Sequence, residues 1–215
     1  MPPPLPVAVL ISGRGSNMAA LARAGLEGRI AARVTTVISD RAAAAGIAVA
    51  RGLGIETETL EPAGMDRAAY AAALAGALDR RQPGLVVLAG FMRILDGGFI
   101  RAFQGRLLNI HPSLLPRYPG LHTHRRVLAA GDRVHGCTVH FVTEEVDAGP
   151  RVIQARVAVM EGEDEATLSA RVQRWEHIIY PEAVGWYAAG RLAMRDGAAW
   201  LDGRRLDEPV LRGEA

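Results

Sequence analysis

Short apolar runs alternate with segments of helical period through the first half of the chain, and this rhythm restricts the fold more than any other feature. Val7–Ser12 is an apolar run closed by Gly13-Arg14-Gly15-Ser16-Asn17, after which Met18, Leu21, Ala22 and Leu26 recur at helical spacing. Val34–Ser39 reads as a second strand, residues 42–53 as an Ala-rich helix ended by Gly54, and Ile55–Leu60 as a third strand. Asp66 is placed to cap a helix running to about residue 80, stopped before Pro83. Leu85–Ala89 is apolar at every position, the pattern of a strand covered on both faces. A short helix over 96–103 and a strand at Arg106–Ile110 follow. Strands and helices in this order predict an α/β fold: an open, mostly parallel twisted sheet, Rossmann-like, with helices on both faces.

Beyond residue 110 the rhythm changes. Gly136–Val142 and Val152–Val159 read as two strands that add antiparallel pairing in the C-terminal half. The loop between them holds Glu144, Glu145 and Asp147, with Gly149-Pro150 as a turn. Leu168, Val172, Trp175 and Ile179 make one stripe of a long helix, with Pro181 inside it or near a kink. Residues 122–124 read as loop, a short hairpin is expected around Met194–Leu201, and the last dozen residues look loosely held. No repeat or linker breaks the 215 residues, so a single domain over 1–215 is expected, with halves at about 1–104 and 105–215.

Composition excludes several classes. The chain contains no lysine, so Schiff-base chemistry and a phosphate-binding P-loop are ruled out. Its one cysteine, Cys137, cannot build an internal disulfide framework or a Cys-rich zinc site. No apolar run approaches the roughly 20 residues that span a bilayer. The opening MPPPLPVAVLISG lacks the marks of a secretory signal. A net charge of +2 is too small to argue for nucleic acid. These readings describe a cytoplasmic protein without membrane or nucleic-acid partners.

Three groups of residues carry possible chemistry. In SGRGSN the glycines sit where a strand gives way to a helix, and the N–H groups at that helix start, with Arg14, Ser16 and Asn17, suit a phosphate. The spacing is not that of a dinucleotide fingerprint, and a helix cap without a ligand is the alternative. Asn109 and His111 stand two apart at a strand's carboxyl end, so both aim at one side, where an amide and an imidazolium suit a developing oxyanion. The alternative is a turn cap and a loop histidine. Asp147 is the acid most naturally paired with His111, where it would favour the charged ring; otherwise it is a turn former before Gly149. No Ser or Cys elbow accompanies the pair. His122, His124, His135 and His140 show no tight ligand spacing, so no metal is expected.

Taken together, VLISGRGSN, VVLAGFMRIL, GRLLNIHPSLLPRYPGLHTH, HGCTVHFVTEEVDAGP and RVQRWEHIIYP closely resemble the phosphoribosylglycinamide formyltransferase family, in order, from about Val7 to Leu206. The Asn-Ile-His-Pro-Ser-Leu-Leu-Pro segment is specific to folate formyltransferases, and the glycine turn with Ser16-Asn17 narrows it to the glycinamide branch. The resemblance implies an enzyme of purine synthesis with 10-formyltetrahydrofolate as co-substrate, 5-phosphoribosylglycinamide as acceptor and no metal. It implies a phosphate-binding first half and a catalytic, folate-binding second half, in a monomer or homodimer. It assigns Asn109, His111 and Asp147 to catalysis and Gly15, Ser16 and Asn17 to the ribose phosphate. Gln173, Arg174, Trp175 and Glu176 fall at the glycinamide; from its residues alone Glu176 reads as a solvated helix position. Arg67, Met92, Arg93, Ile94 and Leu95, with Asn109 and the loop Thr143, Glu144, Glu145, Val146 and Asp147, fall at the folate. Without the resemblance, Met92–Leu95 reads as a plain core corner. Asp40-Arg41 and Cys137 depart from the family's pattern.

Three rivals remain at this stage. Formylation of initiator methionyl-tRNA would call for a longer chain and a basic face. Formyltetrahydrofolate hydrolysis would call for a regulatory segment before Val7. A catalytically silent nucleotide-binding module would leave the Asn109, His111 and Asp147 constellation without use.

Overall fold

The computed structural model describes residues 2–213. The chain divides between Asn109 and Ile110 into two compact units. Strand β5 (Leu107–His111) runs through the division.

The first unit is a strict alternation: β1 (Leu5–Ile11), α1 (Ser16–Leu26), β2 (Ala32–Ser39), α2 (Ala45–Gly52), β3 (Glu56–Thr59), α3 (Arg67–Asp79), β4 (Leu85–Leu88) and α4 (Gly97–Ala102). Its strands lie in the order β5-β4-β1-β2-β3, and every pair is parallel. All of β4, and β1 from Val7 on, is buried. Successive strand residues point to opposite faces, so unbroken burial means both faces are covered, as the apolar runs predict. Asp66 caps α3 by accepting the Ala69 N–H at 2.7 Å, and Asp96 caps α4 through the Gly98 N–H at 2.7 Å. Helix α2 starts at Ala45 rather than at 42. The Arg41 N–H donates to Ser39 Oγ and the Ala42 N–H to Glu61 Oε1, which commits the preceding backbone to side-chain partners instead of a helix.

The second unit comprises α5 (Thr123–Ala129), β6 (Val134–Phe141), β7 (Arg151–Ala158), α6 (Glu165–Ala188), β8 (Leu192–Arg195), β9 (Ala198–Leu201), β10 (Arg204–Arg205) and β11 (Val210–Gly213). From β5 the order continues β6, β7, β11, while β8, β9 and β10 form a separate three-stranded sheet. β6 and β7 are antiparallel, and β11 lies parallel to β7. The expected α/β sheet with antiparallel additions is therefore what forms.

Three readings of the sequence need correction. Thr123 and His124, read as loop, open a helix that runs to Ala129; only Thr123 and Val127 of it are buried, too sparse a pattern to announce it. Within the last dozen residues, the described part is not loose: β11 pairs Val210 with Ile153 through Gly213 with Arg156. Its side chains are mostly exposed, so backbone pairing rather than burial holds it, and periodicity has nothing to detect. On α6 the buried stripe runs Leu168, Val172, Glu176, Ile179 and Ala183, with Trp175 half-buried beside it. A carboxylate occupies the stripe where an aromatic was expected, so Glu176 is not a solvated position. Pro181 lies within α6. Among the described residues no helix is long and apolar enough to cross a membrane.

Candidate active site

β5 delivers Asn109 and His111 to one side of its carboxyl end, because residues two apart on a strand share a face. His111 is buried. Its Nε2 lies 2.9 Å from the carbonyl oxygen of Tyr118. A carbonyl only accepts, so Nε2 carries a proton and Nδ1 is the nitrogen turned away from that carbonyl. Nδ1 lies 3.4 Å from Asp147 Oδ2. The pairing of His111 with Asp147, 36 residues apart in the chain, is present in the structure.

Asp147 has φ +55°, a left-handed backbone that Asp tolerates better than most residues. The Gly120 N–H donates to its Oδ2 at 2.8 Å. Its Oδ1 lies 3.8 Å from His140 Nε2. His140 Nδ1–H donates to the carbonyl of Phe141 at 2.8 Å, leaving Nε2 without a proton. Burial drives the His140 pKa down to about 4, so this ring stays neutral at neutral pH and adds no positive charge beside the acid. His140, Gly120 and the Tyr118 carbonyl were not legible as site groups. The one clue was the position of His140 two residues after Thr138 on β6.

The loop after β5 is held by a buried polar network. Thr138 Oγ1 donates to the carbonyl of Ser113 at 2.6 Å and accepts the Leu115 N–H at 3.1 Å. Gln154 Nε2 donates to the Leu115 carbonyl at 2.7 Å. The Leu115–Pro116 peptide bond is cis.

In the first unit, Gly15 has φ +72° and stands at the N-cap of α1, where no side chain caps the helix. A Cβ there would come within 2.8 Å of Gly46 Cα. The Gly46 N–H donates to the Gly13 carbonyl at 3.0 Å, so the start of α2 packs on the turn. Ser16 and Asn17 form the first turn of α1, with Asn17 buried. The helix start thus presents its dipole and backbone N–H groups as an anion site would.

Of the residues matched to folate, Arg67 donates from Nη2 to the Leu95 carbonyl, and the Met92 N–H donates to Ser12 Oγ at 2.9 Å. Met92 and Ile94 are 58% and 62% exposed, whereas Leu95 is buried. The core-corner alternative therefore fails for the two residues that a flat apolar ligand would need. Arg93 lies 3.8 Å from buried Asp40 and over the Tyr70 ring. Burial, followed by the Asp40 charge, pushes the Tyr70 hydroxyl up to about 12. In the second unit, Glu144, Glu145 and Val146 are exposed and Thr143 half-buried. Along α6 Gln173 is half-buried and Arg174 exposed. Burial raises the Cys137 thiol, helped by the Glu176 charge, so this cysteine is a packed, inert group. Among the described residues no three of His, Cys, Asp and Glu group as metal ligands.

Known proteins resemble this chain along most of its length. Residues 5–184 match the formyl transferase family. Phosphoribosylglycinamide formyltransferase of Escherichia coli (strain K12) is 52% identical over 201 residues, covering 93% of this chain and 95% of that protein. The solved phosphoribosylglycinamide formyltransferase of Coxiella burnetii, in complex with CHES, is 43% identical with a TM-score of 0.93, covering 97% of this chain and 99% of that one. A formyltetrahydrofolate deformylase from Pseudomonas syringae pv. tomato is 22% identical with a TM-score of 0.85, covering 92% of this chain and 66% of that one, and shares the fold alone. An α/β sheet carrying the His111–Asp147 pair, matched along nearly its whole length to these relatives, belongs to the phosphoribosylglycinamide formyltransferase family.

Proposed function

We propose that this formyltransferase moves the formyl group of 10-formyltetrahydrofolate directly onto the amine of 5-phosphoribosylglycinamide, with Asn109, His111 and Asp147 acting at the reacting carbonyl. The observation that carries the reading is the buried His111 ring. Its Nε2 is occupied by a carbonyl and its Nδ1 faces Asp147 Oδ2 at 3.4 Å. The amine attacks the formyl carbon and forms a tetrahedral oxyanion. The Asn109 amide and the Nδ1–H of charged His111 donate to that oxygen, and Asp147 stabilises the imidazolium electrostatically. The attacking nitrogen loses a proton and the departing folate nitrogen gains one, so the step is balanced; Asp147 is the relay. No covalent acyl-enzyme is needed: the hydroxyl beside His111, Ser113 Oγ, is committed to the Arg117 and Tyr118 carbonyls.

Gly15, Ser16 and Asn17 at the start of α1 take the ribose phosphate, and Gln173 to Glu176 the glycinamide. Exposed Met92 and Ile94, with Arg67, Arg93, Leu95 and the loop Thr143 to Asp147, take the folate. Tetrahydrofolate formation, followed by absorbance, is expected only when the ribonucleotide amine is added. Removing one oxyanion donor costs about 10²–10³ in rate, so His111→Ala and Asn109→Ala should each lose at least that in turnover. Folate turnover without the amine would favour hydrolysis, and near-normal turnover by His111→Ala would end the assignment.

A further inference from the structure

The carbonyl that fixes the His111 ring belongs to a residue in an unfavourable backbone conformation. Tyr118 has φ +56°, a region that costs a bulky side chain and persists only where its surroundings over-determine it. Those surroundings are dense. The Tyr118 hydroxyl donates to Asp132 Oδ2 at 2.5 Å. Arg117 Nη2 donates to the same oxygen at 2.6 Å. The guanidinium carbons of Arg117 and Arg126 each lie 5.3 Å from the centroid of the Tyr118 ring. Arg126 Nη1 also donates to the neighbouring Pro119 carbonyl at 2.5 Å. Fully buried Ser113 donates from Oγ to the carbonyls of Arg117, at 2.7 Å, and Tyr118, at 3.1 Å. The backbone oxygen that receives His111 Nε2–H is therefore held from both ends of its residue.

The formyl-transfer reading uses His111, but it assigns nothing to Tyr118, Asp132 or the two arginines. We infer that Tyr118 is a positioning residue for the reaction: its side chain, latched to Asp132 and held by Arg117 and Arg126, sets the carbonyl that keeps the His111 proton on Nε2 and turns Nδ1 toward the reacting carbonyl. The inference rests on the formyl-transfer reading. It explains why a half-buried aromatic occupies a left-handed position where glycine or asparagine would sit without strain. It also couples the end of β5 to the segment after α5, because Asp132 lies just beyond that helix.

The test is Tyr118→Phe, which keeps the ring under both guanidinium groups and removes only the O–H donor. Misplacement of a reacting group by a fraction of an ångström to 1 Å costs on the order of 10- to 100-fold in rate. The expected result is a turnover about tenfold lower, with KM for both substrates within about twofold and the thermal midpoint nearly unchanged. ¹⁵N-resolved NMR of the wild type, at a pH high enough to take one proton from the imidazolium, is expected to show the remaining proton on Nε2, and Tyr118→Phe to show a mixture of tautomers. Asp132→Asn retains an acceptor for the phenol and is expected to keep most turnover; Asp132→Ala should match Tyr118→Phe. Wild-type turnover and an unmixed Nε2–H tautomer in Tyr118→Phe overturn the inference, as does lower turnover with an unchanged tautomer. An active His111→Ala enzyme would instead remove the reading beneath it, so the two failures are separable.

Discussion

Two histidines beside one carboxylate have opposite hydrogen-bonding patterns, each set by one backbone carbonyl. His111 gives its Nε2 proton to Tyr118 and keeps Nδ1 toward Asp147. His140 gives its Nδ1 proton to Phe141 and presents a bare Nε2 to the same acid. Under the proposed mechanism only the first, once charged, donates from Nδ1 toward an oxyanion. The sequence pointed to His111 and Asp147 through motif spacing, yet it could not distinguish the roles of the ring nitrogens, which depend on carbonyls brought in by folding. The glycine turn allows a second prediction at this scale. Gly15→Ala introduces a Cβ at φ +72° that would lie 2.8 Å from Gly46 Cα. A strained residue of this kind costs roughly 1–3 kcal/mol. Urea unfolding should show a loss in that range, together with a raised KM for the ribonucleotide; unchanged stability would mean that the turn and α2 are not in register.

Among elements, legibility followed burial. β1 and β4 were plain because apolar side chains fill both their faces. α3 was plain because Asp66 starts it and a proline follows its end. α5 and β11 were missed because each buries almost nothing. α6 was placed correctly, with Leu168, Val172 and Ile179 on its buried stripe; only Trp175 was misjudged, since buried Glu176 takes the place the neighbouring tryptophan was expected to fill. This helix is capped by Asp164, whose Oδ1 accepts the Thr167 N–H at 2.7 Å. The same bond holds the Asp164 carboxyl below its ordinary value. Asp164→Ala removes this cap and should lower the urea midpoint with the m-value unchanged. No loss would show that packing against β6 and β7 alone fixes the start of α6.

For the molecule as a whole, buried neutral histidines set the acid limit of stability. His135 Nε2 lies 2.9 Å from His124 Nδ1, so at most one of the facing nitrogens carries a proton. Burial pushes His135 down to about 3 and His140 to about 4, from an ordinary 6.5. Both native values lie below the unfolded one, so between these limits the unfolded chain binds more protons. The stabilisation is complete above about pH 6.5 and is lost as pH falls toward 4 and then 3. Urea midpoints should therefore drop between pH 7 and pH 5, and His135→Gln should flatten that slope; an unchanged slope would show that His135 titrates normally when folded.

The assignment of Asp147 can be tested without disturbing its surroundings. Asparagine accepts φ +55° as readily as aspartate, and its carbonyl can still take the Gly120 N–H, so Asp147→Asn removes charge and proton transfer while keeping shape. Turnover of Asp147→Asn at saturating levels of both substrates is the most direct measurement. A fall of about 10²–10⁴, with KM values little changed, is the result expected of a proton-moving group. Turnover within a few-fold of wild type would contradict it.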